Sequence, residues 1–266
     1  MNPEKDFAEV NKALWNKKTA FHIDSAFYDN PSFIEGRSSL NSIELELLGD
    51  LKVKSVLHLQ CHFGQDTISI ARMGAKSVGV DLSDAAIAEA KKLAKATGAD
   101  ASFICCNVYD LPQHLNAQFD IVFTSYGTIG WLPDLDKWAG IIEQFLKPGG
   151  QFVFAEFHPV VWMFDSGFNK VTYNYFKDEA IIENNESTYA DGNAAVNLEE
   201  ITWNHSIAEV LTSLLSRNLS IDAFREYDYS PYNCFSDVEE VEKGKFRSNK
   251  HGNKIPMVYA IKATKP

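Results

Sequence analysis

The chain has 266 residues, of which 45% are apolar and 12% aromatic, and its formal net charge is −11. A chain of this size and apolar content can build one sizeable core, so we expect a single domain. The negative charge disfavours nucleic acid or an anionic membrane as the main partner, because phosphate binding requires clustered Lys and Arg. No apolar run suits a signal peptide or a membrane span, and four cysteines without a CxxC pair predict free thiols in the cytoplasm.

Residues 1–50 are predicted to be mostly helical, with a break at Tyr28–Pro31. Strands and helices then alternate, which is typical of a parallel sheet covered by helices. The predicted strands are Ser55–Leu59, Ser77–Val80, Ala101–Cys106, Phe119–Thr124 and Gln151–Phe157. The predicted helices are Asp66–Met73, one capped by Ser83, and Leu135–Leu146, which Lys147–Gly150 ends.

The alternation stops after residue 158. Residues 159–205 are rich in Tyr, Phe, Asn and Thr, and their alternating segments, Val171–Phe176 and Glu199–Trp203, predict an inserted antiparallel flap. A helix at Ser206–Asn218 and two closing strands, Ile221–Tyr227 and Pro256–Ala263, are expected to follow. The predicted organisation is therefore an N-terminal cap (1–50), a ligand-binding core (51–158), a flap (159–205) and a closing part (206–266).

Candidate ligand-binding residues follow the predicted strands, because ligands of open α/β sheets bind at the carboxyl ends of the strands. They are Leu59, Gln60, Cys61, His62, Gly64, Asp81, Leu82, Asn107, Val108, Ser125 and Tyr126. Asp81 follows Gly64 by 17 residues (81 − 64), close to the spacing of about 20 for a ribose-binding acid. The alternatives are an ordinary turn at Gly64, an N-cap at Asp81 and a turn residue at Asn107.

Three strings carry a family resemblance: LQCHFGQDT (59–67), FDIVFTSYGTIGWLPD (119–134) and LKPGGQFVFAEFHP (146–159). In order and spacing the chain resembles class I S-adenosylmethionine-dependent methyltransferases over about residues 50–160, and more weakly over the closing strands. The family's first loop usually reads hydrophobic-Asp-hydrophobic-Gly-x-Gly-x-Gly. Here His58 replaces the acid and Gln60 and His62 replace two glycines, which resembles a variant found in a group of little-characterised bacterial methyltransferases.

The resemblance implies a Rossmann-like, seven-stranded, mostly parallel sheet with helices on both faces, and S-adenosyl-L-methionine as the cofactor. It places Asp81 at the ribose, Asn107 at the adenine, and Ser125 and Tyr126 beside the methionine part and the transferred methyl. The implied reaction is in-line methyl transfer to a small-molecule acceptor, which depends largely on alignment and exclusion of water. Neither a nucleic acid nor a membrane is expected as a partner, and the protein is expected to be a monomer or a homodimer.

Glu156 and His158 follow the fifth predicted strand, and Tyr126 follows the fourth, so these three are the candidate catalytic residues. A carboxylate or an imidazole there could accept the acceptor's proton. The alternative is that Glu156 or His158 only satisfies backbone groups of a loop. No metal site is expected, because His22, His62, His158 and His205 lie on separate segments without ligand spacing.

Two other functions remain open at this point. A nicotinamide-dependent oxidoreductase shares the βαβ unit and the ribose acid, but it requires GxGxxG where this chain has one glycine. A non-catalytic sensor that binds S-adenosylmethionine has the same fold, because fold does not determine function. A cage formed by Trp131, Trp138, Trp162 and Trp203 for a cationic substrate is a further possibility, against the alternative of ordinary packing.

Overall fold

The computed structural model describes residues 3–266. The cap contains three helices: α1 (Pro3–His22), α2 (Asn30–Ile34) and α3 (Ser42–Leu48). The break between α1 and α2 covers residues 23–29, so it begins and ends earlier than the predicted break at Tyr28–Pro31. Asp29 caps α2, and Pro31 lies in the first turn of this helix. Proline is tolerated there, since the first N–H groups of a helix have no partner within it.

The core alternates strands and helices as predicted. Its elements are β1 (Ser55–Leu59), α4 (Gln65–Arg72), β2 (Lys76–Asp81), α5 (Asp84–Thr97), β3 (Ala101–Cys105), β4 (Phe119–Ser125), α6 (Leu135–Phe145) and β5 (Leu146–Phe157). Ser83 caps α5 by accepting from the N–H of Ala86 at 3.0 Å. The sequence placed the start of β5 five residues too late, because Pro148 and two glycines suggested a turn within what is the first part of the strand.

The remaining elements are β6 (Ile181–Asn185), β7 (Leu198–Thr202), α7 (Ile207–Ser216), β8 (Ser220–Tyr227), β9 (Val238–Glu242), β10 (Lys245–Ser248) and β11 (Val258–Thr264). β6 and β7 form an antiparallel pair inside the predicted flap. The alternating segment at residues 171–176 is not a strand. The β9–β10 hairpin was not predicted, since its strands are short and rich in charge.

The main sheet has seven strands in the order β3-β2-β1-β4-β5-β11-β8. β1 to β5 pair in parallel, and β11 pairs antiparallel with both β5 and β8. Alternate side chains of the strands pack on opposite faces: Leu57 and Phe154 lie under α6 and α7, whereas Val56 and Val153 lie under α3 and α4. The predicted fold class is therefore confirmed, and all strand carboxyl ends of β1–β5 meet at one edge.

Candidate active site

One large cavity, of about 1070 Å³, lies over the carboxyl ends of the parallel strands. Its walls come from the loops after β1, β2, β3, β4 and β5, from the cap, and from the flap. Of the predicted site residues, it is lined by Gln60, Cys61, His62, Gly64, Asp81, Leu82, Asn107, Val108, Ser125, Tyr126 and Glu156. Leu59 does not line it, because this side chain is fully buried in the core beneath the sheet.

The loop after β1 has the backbone of a glycine-rich turn without the glycines. Gln60 and His62 adopt left-handed conformations, with φ of 56° and 51°, and Gly64 has φ of 83°. A Cβ on Gly64 would lie 2.5 Å from the ring of Phe103, so glycine is required there for packing as well as for conformation. The two substituted positions therefore keep the loop shape that the resemblance implies, at some cost in backbone strain.

Asp81 and Asn107 lie at neighbouring strand ends and face the same cavity. The Asp81 carboxylate accepts the N–H groups of His62 at 2.8 Å and Ser83 at 2.9 Å, which joins the ends of β1 and β2. Burial raises the pKa of Asp81 to about 6, although these N–H groups oppose the shift. Asn107 also has a local role, because its Oδ1 accepts the N–H of Tyr109 at 3.0 Å.

A network of carboxylates and hydroxyls lies at the end of β4. Ser125 donates to Asp66 at 3.0 Å, and Ser39 donates to the other oxygen of Asp66 at 2.6 Å. The Tyr126 hydroxyl donates to Glu44 at 2.8 Å. Burial, and secondly the carboxylate of Asp66, raise the pKa of Glu44 to about 7. Sequence reasoning missed both acids: Asp66 was assigned only to the start of a helix, and Glu44 to the cap.

Glu156 has a structural role that the sequence left as an alternative. Its buried carboxylate accepts the N–H groups of Gly127, Thr128, Ile129 and Phe157, and the Thr128 hydroxyl. Burial raises the pKa of Glu156, while these donors favour the charged carboxylate and oppose the shift. Glu156 therefore fixes the loop that presents Tyr126.

His158 lies outside the cavity, contrary to the expectation that it faces the acceptor. Its Nε2 is 3.0 Å from Oε1 of Glu226, and its Nδ1 accepts the N–H of Val160 at 3.2 Å. β11 pairs with β5 at this point, where the N–H of His158 donates to Met257. Both ring nitrogens are thus engaged, as in the alternative in which His158 satisfies loop groups.

Cap and flap meet over the first loop. His22 contacts His62 at 2.9 Å and Thr188 at 2.5 Å, and burial lowers the pKa of His22 to about 3. The hydroxyls of Tyr28 and Tyr189 are 2.6 Å apart. These contacts join α1 and its following turn to the flap, so both segments cover the same side of the cavity.

The four tryptophans do not form one cage. Trp138 is fully buried beneath the sheet, and Trp203 packs against Phe7. Trp131 faces Trp15, and the ammonium group of Lys18 lies over both rings, 5.3 Å from Trp15 and 5.5 Å from Trp131. This aromatic pair already has an internal cation.

Membrane spans and metal clusters are both absent from the described residues. Between residues 3 and 266, no helix is long and apolar enough to cross a membrane. In the same part of the chain, no group of three or more His, Cys, Asp or Glu side chains has the arrangement of a metal site.

Part of the chain is similar in sequence to known methyltransferases. Residues 56–150 match the family described as a methyltransferase domain. An uncharacterised methyltransferase of Synechocystis sp. is 32% identical over 133 residues, which is 49% of this chain and 60% of that protein. The chain spans between 42% and 60% of the length of the curated relatives that it matches.

Solved structures extend the likeness over most of the chain. An S-adenosylmethionine-dependent methyltransferase from Mesorhizobium loti has a TM-score of 0.56 and 16% identity, covering 87% of this chain and 99% of that one. A geranyl diphosphate C-methyltransferase from Streptomyces coelicolor has a TM-score of 0.54 and 17% identity, covering 91% and 85%. The chain has a methyltransferase fold. The enzyme class and cofactor expected from the sequence agree with these comparisons.

Proposed function

We propose that the protein is an S-adenosyl-L-methionine-dependent methyltransferase that acts on a small-molecule acceptor. The observation that carries the proposal is the convergence of Asp81, Asn107 and the glycine-like first loop on one cavity, in a segment that matches a methyltransferase domain. These groups have the chemistry of a nucleoside site: a carboxylate for ribose hydroxyls and an amide for a base edge.

The described residues fit the cofactor. His58 and Gln60 both line the cavity, and each has a buried polar atom without a hydrogen-bond partner among the described residues: Nε2 of His58 and Oε1 of Gln60. Asp81 would hold the ribose and Asn107 the adenine, while Ser125 and Tyr126 would lie beside the methionine part. When bound, the cofactor supplies the methyl group. The protein itself contributes the enclosed chamber, which aligns the acceptor and excludes water.

Tyr126 is the residue that we assign to the acceptor's proton. Its hydroxyl donates to the buried Glu44, so its oxygen has a lone pair available to an acceptor O–H or N–H in the cavity. The acceptor proton moves to the Tyr126 oxygen as the phenol proton moves to Glu44. Glu156 supports this arrangement as a positioning residue, through the 127–129 loop.

The acceptor occupies the part of the cavity that aromatic side chains enclose. Tyr126 packs against Phe157 and Tyr232, and Phe157 packs against Trp162 and Phe235. These rings form an apolar wall beside the hydroxyl of Tyr126. A small, largely apolar acceptor with one hydroxyl or amino group suits this surface, because the rings bury its apolar part and Tyr126 meets its polar atom.

Calorimetric titration of the purified protein tests the proposal. S-adenosylmethionine and S-adenosylhomocysteine should bind, and NAD should not. Asp81→Ala should weaken S-adenosylhomocysteine about ten- to a hundredfold, because charge-assisted hydrogen bonds to the ribose are lost. Asp84→Ala is the matched control, since Asp84 lies three residues further on (84 − 81), is exposed and pairs with Lys12. Binding of NAD, or equal affinities in wild type and Asp81→Ala, would contradict the proposed site.

Binding alone leaves a sensor as the remaining explanation. Transfer of radiolabelled methyl from S-adenosylmethionine to a panel of small hydroxyl and amine compounds separates the two. A labelled product whose formation depends on the added compound supports an enzyme. Tight cofactor binding with no transfer to any compound of the panel would favour a sensor.

A further inference from the structure

The methionine end of the proposed cofactor requires a negatively charged side chain beside it. S-adenosylmethionine and S-adenosylhomocysteine both carry an α-ammonium group at this end. An ammonium group buried in a cavity requires a carboxylate nearby, because an unpaired buried charge is costly. The assignment of that carboxylate to one residue rests on the proposed function.

The carboxylates that line the cavity are Asp66, Asp81, Asp165, Glu156, Glu183 and Glu200. Most of them already have a partner that fixes their role. Asp81 joins two strand ends at the ribose position, and Glu156 accepts the backbone N–H groups of the 127–129 loop. Glu200 pairs with Lys18 at 3.6 Å. Three of the six are therefore committed to other groups.

Asp165 and Glu183 belong to the flap, away from the first loop. Asp165 accepts the N–H of Asn169 at 2.7 Å, and Glu183 accepts the hydroxyl of Tyr173. Both lie in the segment after β5, which also contributes aromatic side chains to the cavity. They are thus placed toward the acceptor part.

Asp66 differs from all of these. Its two oxygens accept only from the hydroxyls of Ser39 and Ser125, and within residues 3–266 it forms no ion pair. It lies in the first turn of α4, directly after the loop that follows β1. Ser125, its hydrogen-bond partner, is one of the two residues, with Tyr126, that the family resemblance places beside the methionine part. Asp66 is thus a cavity carboxylate whose hydrogen-bond partners are both neutral. A cationic group would complete its contacts.

A second observation points to a ligand at the same place. His58 is 3% exposed and lines the cavity, and its Nε2 has no hydrogen-bond partner among the described residues. Its Nδ1 is 2.8 Å from the hydroxyl of Thr67. Burial lowers the pKa of His58 to about 4, against the opposing attraction of Asp66. At neutral pH the ring is therefore uncharged, and its Nε2 is a buried polar atom that lacks a partner.

We propose that Asp66 binds the α-ammonium group of the cofactor, with Nε2 of His58 as an additional polar contact at the same end. The negative charge that the family pattern places at position 58 is in this chain supplied from position 66, on the first turn of the following helix. The hydroxyls of Ser39 and Ser125 orient the Asp66 carboxylate, because each occupies one of its oxygens.

Two ligands that differ only at the ammonium group test the assignment. They are S-adenosylhomocysteine and its deamino analogue, in which hydrogen replaces the α-ammonium. Asp66→Asn should weaken S-adenosylhomocysteine about ten- to a hundredfold, as expected for a lost charge-assisted contact. The deamino analogue should bind wild type and Asp66→Asn within about twofold of each other. Asparagine keeps the shape of the side chain and an oxygen for one serine.

The controls separate this proposal from the proposed function and from misfolding. Asp165→Asn removes another cavity carboxylate and should leave both affinities unchanged. Binding of 5′-methylthioadenosine, which has no amino-acid end, should survive in Asp66→Asn and so reports an intact nucleoside site. The ring-nitrogen NMR signals of His58 should shift with S-adenosylhomocysteine but not with 5′-methylthioadenosine.

The outcomes are distinct. If wild type binds no S-adenosylhomocysteine, the proposed function fails and the subsite fails with it. If wild type binds it and Asp66→Asn weakens both ligands equally, or neither, the proposed function stands and the assignment to Asp66 is wrong. Selective loss for the ligand that carries the ammonium group supports the assignment.

Discussion

The Tyr126 hydroxyl donates a 2.8 Å hydrogen bond to Glu44, and this bond joins the end of β4 to helix α3 of the cap. The other oxygen of Glu44 accepts the N–H of Asn41 at 2.7 Å, which closes the first turn of α3. One buried carboxylate therefore both begins a cap helix and holds the residue that we assign to the acceptor's proton. Protonation of Glu44 affects these two roles differently. The protonation state of Glu44 can therefore be measured through its effects on the protein.

Glu44 should make the protein less stable as the pH rises from about 4.5 to about 7. Its pKa is about 7 in the folded state against an ordinary value of 4.5, so the folded protein binds more protons in this range. Its stabilising contribution is complete below pH 4.5 and is lost through pH 7. Glu44→Gln mimics the neutral acid. In urea unfolding, this variant should lose a few kcal/mol less unfolding free energy than wild type as the pH rises from about 4.5 to about 7.

Glu46→Gln is the matched control for that measurement. Glu46 lies on the same helix, but 60% of its side chain is exposed, and it pairs with Arg225 at the surface. Its replacement should leave the slope of unfolding free energy against pH as in wild type. An unchanged slope in Glu44→Gln as well would show that Glu44 does not bind a proton in this range.

Tyr126→Phe should raise the pKa of Glu44 further. The phenol hydrogen bond favours the charged carboxylate and so lowers this pKa, against the larger effect of burial. The carboxyl carbon signal of Glu44, followed by NMR against pH, should therefore have a midpoint above about 7 in the variant. A midpoint at or below that of wild type would mean that Tyr126 and Glu44 do not interact in solution.

Glu156→Gln should release the 127–129 loop. The amide NH₂ group of glutamine would face backbone N–H groups that the carboxylate now accepts, so we expect a loss of about 1–3 kcal/mol in unfolding free energy. Amide exchange at Gly127, Thr128 and Ile129 should become faster. His158→Gln, whose side chain contacts Glu226 instead, should leave these three amides unchanged. Unaltered exchange in Glu156→Gln would remove its positioning role.

The sequence predicted the parallel core well because hydrophobic runs and helix caps are local signals. The helix predicted after Ser83 is α5, which Ser83 caps, and β1 has the predicted bounds. The strand ends then placed Asp81 and Asn107 at one edge by topology alone.

The acids at the end of β4 could not be predicted in the same way. Glu44 meets Tyr126 across 82 residues, and Asp66 meets Ser125 across 59, so neither pair leaves a local pattern. The weak signals were Asn41 three residues before Glu44, as in a capping box, and a charged residue right after the glycine turn. The roles of Glu156 and His158 also depended on partners from distant elements.

Val53 offers a test of backbone strain outside the site. It has φ of 57° and is 94% exposed, so a β-branched residue adopts a left-handed conformation without burying its side chain. Val53→Asn should raise the unfolding free energy by about 1 kcal/mol, because asparagine tolerates this conformation better. Val241→Asn, at an exposed strand position, is the control and should give no gain. A loss of stability in Val53→Asn would contradict the assigned strain.

Cofactor binding should protect the turn between α1 and α2 and the helix that follows it. Tyr28 packs on Phe63 of the first loop at 4.6 Å between ring centres, and its hydroxyl contacts Tyr189 of the flap. If residues 27–33 must open for S-adenosylhomocysteine to leave, ligand at 100 times its Kd should slow their amide exchange up to about a hundredfold. The β9–β10 hairpin, which does not line the cavity, should be unaffected.

Tyr189→Phe removes one hydroxyl and should speed exchange around Tyr28 about fivefold without ligand, as for one lost hydrogen bond. Equal protection of residues 27–33 with and without ligand would instead identify the cap as a permanently docked cover, so that the ligand must enter by way of the flap.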